Sequence, residues 1–271
     1  MTRQTEAPTE GSMRESLPVV KLILLGLLAG YLSGLFGVGG GVIVVPALLL
    51  LGFDQRIAAG SSVAAILPTS VVGAVGYAIS GNIDWLAGLM LAIGVVIGAQ
   101  VGTYLLARLP KPVLFWTFIG FLVVVIVSLW IVVPQRDDVI DLNPGTMAGL
   151  VFAGMVTGIL SGLLGVGGGI IAVPVLMFFF GASDLIAKGT SLLMMIPGSL
   201  SATIGNSRRR NVDLRVAALV GVSACLTSTL GLLTATHISP LASNIAFSVL
   251  IVGVAAQLVV RQLRARRKSG K

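Results

Sequence analysis

Two glycine runs are the residues of this sequence best placed to do chemistry, although neither carries a reactive side chain. One comprises Gly37, Gly39, Gly40 and Gly41, the other Gly165, Gly167, Gly168 and Gly169, and each leads into a short apolar stretch ending in proline, Val42 to Pro46 and Ile170 to Pro174. Glycines that open a helix present backbone N–H groups carrying partial positive charge and let an anion approach with no side chain in the way. The chemistry so offered is anion binding. Hydroxyls that could donate to an oxyanion follow in each case: Ser61 and Ser62 after the first run, Thr190 and Ser191 after the second. Lys188 stands beside Thr190 at the start of an apolar segment, where a charge is costly unless it snorkels or meets an anion. Gln100 and Asn206 are uncharged polar residues within or at the end of apolar segments, suited equally to substrate contact and to helix–helix bonding.

A plainer reading stands beside each of these. Gly30 and Gly34 have the spacing that lets helices approach closely, whereas three consecutive glycines exceed what packing needs and weaken a helix. Membrane serines and threonines often bond their own i−4 carbonyl. Asp84 and Asp213 immediately precede apolar helices and read as N-caps. Arg208, Arg209 and Arg210 read as charge anchors, with a funnel for anions as the alternative.

The two runs belong to a repeat. Ser33 to Pro46 matches Ser161 to Pro174 at a spacing of 128 residues, and after one extra residue the match continues through Gly60-Ser61-Ser62 and Gly189-Thr190-Ser191, Pro68 and Pro197, and Asn82-Ile83-Asp84 and Asn211-Val212-Asp213. That length indicates a duplicated half-molecule rather than a solenoid.

Composition fixes the solvent around these elements. With 56% hydrophobic and 10% charged residues and a mean hydropathy of +1.03, the chain cannot cover a water-soluble globule, and its long apolar runs are membrane spans. They do not alternate polar and apolar residues, so the spans are helical. The net charge of +8 comes from bases at segment ends, which fits positive-inside anchoring rather than nucleic-acid binding. One cysteine, Cys225, excludes an internal disulfide and a cysteine-rich metal site.

Apolar segments fall at 17–36, 42–53, 57–80, 85–107, 112–134, 146–164, 170–181, 185–206, 214–236 and 240–260, five per copy. The second of each set, at 12 residues or about 18 Å, is a half-helix against a hydrocarbon core of ~30 Å. Pro68 and Pro197 are expected to break or kink the third segments. An odd number of crossings per copy inserts the second copy upside down. The expected fold is therefore an all-α integral membrane protein of two five-segment repeats in inverted topology, about eight full spans plus two short segments. The domains are a disordered cytoplasmic tail (1–16), a first repeat (17–134), an extracytoplasmic linker (135–145), a second repeat (146–260) and a basic cytoplasmic tail (261–271). The first apolar run reads as a retained helix rather than a cleaved signal.

At these residues the chain resembles the TauE/SafE family, the sulfite exporters. The resemblance rests on the duplicated G-x-G-G-G-x-[IV]-x-V-P segment, the following G-[ST]-S and the N-x-D after each third segment. It implies a plasma-membrane permease that moves sulfite or an organosulfonate out of the cell as a secondary transporter. An anion channel, or a permease for another small anion that works as an importer, is the alternative. An enzyme is not expected, since positioned acids, bases and metal ligands are lacking. No cofactor, metal or nucleic acid is expected; the partners are the small anion and lipid, and a homo-oligomer is compatible. All ten Asp and Glu fall outside the apolar segments, so the expected driving force is membrane potential, about 2.3 kcal/mol per charge per 100 mV, with no proton carrier in the spans.

Overall fold

The computed structural model describes residues 19–131, 140 and 143–269, and among them every regular element is a helix. In chain order these are α1 (Val19–Phe36), α2 (Gly41–Leu50), α3 (Gln55–Ile79), α4 (Trp85–Arg108), α5 (Lys111–Ile131), α6 (Pro144–Leu164), α7 (Gly169–Phe180), α8 (Asp184–Arg208), α9 (Leu214–His237) and α10 (Pro240–Ser269). The 1–16 tail and most of the 135–145 linker lie outside the described residues. Seven helices are long and apolar enough to cross a membrane; α2, α7 and the apolar stretch Lys111–Val124 of α5 are shorter. The chain is a multi-pass membrane protein, and large apolar side chains such as Trp85, Val222 and Leu226 stand exposed on its lipid-facing surface.

The helices start where the caps place them. Asp84 accepts from the Ala87 N–H at 2.9 Å, Asp213 from Arg215 at 2.9 Å, and Asn143 from Thr146 at 2.8 Å with Pro144 in the first turn. Of the break or kink expected at Pro68 and Pro197, a break does not occur: α3 and α8 are continuous on both sides of them. Nearby hydroxyls supply bonds to carbonyls around the first site: Thr69 Oγ1 donates to the Ala65 carbonyl at 3.1 Å and Ser70 Oγ to that of Leu67 at 2.8 Å. Beyond residue 260 the chain does not become an irregular tail. Arg and Lys are good helix formers, and α10 carries the backbone through the basic run to Ser269.

Packing is crosswise between the copies. Gly26, Gly30 and Gly34, one per turn of α1, rest against Val220, Ala224 and Ser228 of α9, so that a methyl group on any of them would overlap α9. Gly94, Gly98 and Gly102 of α4 meet Gly154, Gly158 and Gly162 of α6 in the same way. Residue numbers rise together in both pairs, so each pair is parallel. α3 and α8 form the centre and run antiparallel, with Gly60 at Asn211, Gly73 at Leu192 and Gly189 at Tyr77 and Asn82. α3 lies along α9 and α8 along α4, each parallel, while α5 and α10 sit on the periphery.

Candidate functional site

The two glycine loops meet in the middle of this bundle. The first runs from Gly37, beside Lys188 near the start of α8, to Gly40, beside the Ala29 carbonyl midway along α1. α2 then continues in the same sense toward Asp54, so loop and short helix together make the passage that a ten-residue helix cannot make alone. The second loop does the same from the other end, from Gly165 beside Ala59 to Gly169 beside Gly37 and Val38. Positive φ values at Gly37 (68°), Gly39 (79°), Gly40 (74°), Gly165 (74°) and Gly167 (77°) explain why this path needs glycine. The copies differ at one point, because Gly168 has an ordinary φ of −74° where Gly40 is left-handed.

The first hydrogen bonds within the short helices run from Ile43 N–H to the Gly40 carbonyl (3.1 Å) and from Ile171 N–H to that of Gly168 (3.1 Å). The N–H groups of Gly41, Val42, Gly169 and Ile170 thus stand outside the helical ladder, buried at membrane depth. The space between the two loops is filled. A methyl at Gly41 would overlap the Val166 carbonyl, one at Gly169 would overlap that of Gly37, and Ile66 and Met195 fill the space between Gly39 and Gly167. Sequence reasoning missed Ile66 and Met195, which occupy matching positions in the two copies, two residues before Pro68 and Pro197.

The hydroxyls divide into two roles. Ser61 Oγ accepts from the Asp213 N–H at 2.8 Å and Thr190 Oγ1 from the Asp84 N–H at 3.0 Å, so each anchors the N-x-D turn of the opposite copy. Ser191 Oγ reaches the Gly37 carbonyl at 2.6 Å, tying α8 to the first glycine loop, while Ser62 Oγ is buried without a partner among the described residues. Gln100 serves as helix glue, donating from Nε2 to the Ser201 carbonyl and Oγ at 2.8 Å. Asn206 is fully buried, and neither amide atom finds a partner among the described residues. It lies 18 residues along α8 from Lys188, about 27 Å, so the two do not share one site.

Lys188 does not snorkel. It is 3% exposed, and its Nζ donates to Asp184 Oδ2 at 2.9 Å and to Ser243 Oγ of α10 at 3.1 Å. Asp184 is 2% exposed, which corrects the expectation that no acid lies within the spans: α8 begins one residue before the apolar run, and its first turn is covered by the bundle. The ground for excluding a proton carrier goes with it. This pair borders a small cavity of about 10 Å³, room for one water, lined also by Phe36, Val38, Gly169, Asn244 and Phe247. No group of three or more metal-binding side chains occurs among the described residues.

The bases gather at the other end of the bundle. There Lys111 pairs with Asp54, Arg56 donates to the Leu109 carbonyl at 3.2 Å, and Arg209 holds Thr103 Oγ1 at 3.1 Å. Burial would raise the Asp54 pKa, but the bonds from Lys111 and the Arg56 N–H outweigh it and hold the carboxyl below its ordinary value.

With this geometry in place, the family described as "Sulfite exporter TauE/SafE" matches residues 1–136 and 150–271. The chain belongs to the TauE/SafE family. Three relatives carry the name "Probable membrane transporter protein". YunE of Bacillus subtilis is 28% identical over 69% of this chain and 77% of its own length. YdhB of the same organism is 30% identical over 74% and 84%. A protein of Methanocaldococcus jannaschii is 25% identical over 81% and 87%. In this TauE/SafE protein the paired glycine loops lie at the centre of the bundle, with the cavity at Lys188 beside them.

Proposed function

We propose that this TauE/SafE protein is a secondary transporter that exports a small sulfur-containing oxyanion, sulfite or an organosulfonate, across the plasma membrane. The observation that carries the reading is the meeting of two glycine-opened short helices in the bundle core, with N–H groups left outside their helical ladders. Such ends favour negative charge, and paired short helices entering from opposite sides are how inverted-repeat carriers cradle a substrate near the midplane. The residues assigned to the anion are Gly37, Gly39, Gly40 and Gly41 with their copies Gly165, Gly167, Gly168 and Gly169. Ser191 holds the first loop through the Gly37 carbonyl, Ser62 is assigned as a further donor, and Ser61 and Thr190 position the turns. Ile66 and Met195 close the path between the loops in this state.

Inverted topology is part of the proposal. It is supported by the antiparallel crossing of α3 and α8, which are copies of one another, and by the parallel pairs α1 with α9 and α4 with α6. The end that holds Arg56, Lys111, Arg209 and Arg215 is assigned to the cytoplasm together with both termini, following the positive-inside rule. The domain boundary is assigned to the linker before Asn143.

The test is flux from proteoliposomes loaded with sulfite, with potential and pH gradient set independently. Saturable sulfite efflux that Gly40→Leu abolishes in an inserted protein is expected. Flux that rises linearly without saturation would indicate a channel, and no flux of sulfite, sulfate, taurine or sulfoacetate would end the anion reading.

A further inference from the structure

The cavity at Lys188 lies at the end of the bundle away from the clustered bases, and elements of both copies converge on it. α8 supplies Asp184 and Lys188, α10 supplies Ser243, Asn244 and Phe247, and the two glycine loops supply Val38 and Gly169. Its walls are otherwise apolar: Phe36 and Phe247 stack with ring centroids 4.6 Å apart, and Ile170, Val173 and Pro174 close the side toward α7. A lysine and an aspartate this deeply buried contribute little to stability over an apolar pair of the same size. Their retention beside a cavity and a substrate loop calls for a use.

We propose that this cavity is the outward subsite for the transported anion, with Lys188 as its cation, Ser243 as a second donor, and Asp184 as a resident counter-ion that holds the anion's place. The inference rests on the anion-transport reading above. In the state observed, the free volume is only that of one water, so an oxyanion of several atoms fits only where the Asp184 carboxylate now stands. Lys188 Nζ has one carboxylate oxygen at 2.9 Å and one hydroxyl at 3.1 Å, a donor arrangement that a sulfonate or sulfite oxygen satisfies equally well. The displaced carboxylate has somewhere to go. Asp184 is the first residue of α8, where the helix's own N–H ends favour a negative group.

Competition by a tethered carboxylate weakens anion binding at the outer end, where an exporter must let go. Lys188 also touches the substrate loop directly, since its Cα and Cβ lie against Gly37 and Ser191 bonds the Gly37 carbonyl. A change of partner at Lys188 is therefore felt at the first glycine loop.

Removing the competitor should tighten binding. The full chain, purified in detergent, is titrated with sulfite in gluconate buffer of constant ionic strength, and the thermal unfolding temperature is followed. Asp184→Asn should be half-saturated at a sulfite concentration at least about tenfold lower than the parent requires. The uncharged double variant Asp184→Asn, Lys188→Met should show a smaller shift than the parent, because only the glycine loops remain to bind sulfite. An Asp184→Asn protein that is folded only when sulfite is present would support the proposal in the same way. Should Asp184→Asn fail to fold under all conditions, the double variant decides: a sulfite shift equal to that of the parent overturns the subsite. That result would leave anion transport standing, whereas sulfite acting on none of the three proteins would remove both.

Discussion

The two copies place different chemistry at matching positions around their central helices. Where the second copy has Asp184, Lys188, Ser243 and Asn244, the first has Gln55, Ala59, Leu114 and Phe115. The backbone relation is kept, since Gly37 lies against Lys188 as Gly165 lies against Ala59. In the first copy the space is filled with apolar side chains, Leu114 at 1% exposure and Phe115 at 9%, and its one ion pair among the described residues is the solvent-exposed Asp54–Lys111 contact. A duplicated scaffold thus carries apolar packing beside Ala59 and a buried polar cluster beside Lys188. The lesson is that the repeat preserves glycine loops and helix crossings, while a few side chains that it does not preserve make its two ends chemically different.

The largest effect that would expose this difference is at Lys188. Lys188→Met leaves the Asp184 carboxylate buried without its ammonium and should cost about 3–5 kcal/mol in thermal unfolding. A loss below about 1 kcal/mol would mean that water reaches the pair and that the two ends are less unlike than described. Next come the glycine loops. Gly40→Ala forces a side chain into left-handed backbone with the Ala29 carbonyl 2.7 Å from the new Cβ, and should cost at least about 2 kcal/mol. Gly168→Ala keeps an allowed φ and meets Met194 Cε and Thr157 Cγ2 at 2.7 Å, so it carries only an overpacking cost of about 1 kcal/mol. Equal losses in sulfite flux and in stability for the two variants would erase the asymmetry between the loops.

A third pair tests the turns. Gly81 and Arg210 occupy the same position before the N-x-D segments, and both are left-handed, at φ 72° and 57°. Arg210→Gly should raise stability by up to about 1 kcal/mol and Gly81→Ala lower it by a similar amount, read as opposite shifts in unfolding temperature. The smallest effect belongs to Asp54. Asp54→Asn should cost less than about 1 kcal/mol at pH 7, and 1 M salt should shrink the cost. Because the folded pKa is depressed, that contribution is present above the ordinary carboxylate value of about 3.9 and is lost as pH falls through the folded value. A difference between the two proteins that persists below that range would point to packing instead of charge.

Much of this was legible in the chain. The repeat, the ten apolar segments and the caps at Asp84 and Asp213 follow from spacing and residue type, and the helices match the segments closely apart from the extension of α10. The site was less legible, for physical reasons. Asp184 precedes its apolar run by one residue, so polarity alone assigns it to a loop, and only the covering helices show it buried. Ser243 and Asn244 lie 55 residues or more from Lys188 and meet it through tertiary packing. Ile66 and Met195 look like ordinary core. Ser61 and Thr190 look free to meet a substrate until the turn of the opposite copy is seen resting on them. Prolines 68 and 197 predict breaks locally, yet α3 and α8 continue through them.

The crosswise pairing of α1 with α9 bears on how such a chain is made. The Tyr31 hydroxyl finds Thr234 across 203 residues, and the glycine face of α1 has no counterpart within its own half. During synthesis α1 enters the bilayer well before α9 and must keep that face against lipid or the insertion machinery until residues 214–237 have been translated. Neither half supplies the long helix that packs along the glycine face of its own first helix. The duplication that built the molecule has made each half the template on which the other finishes folding.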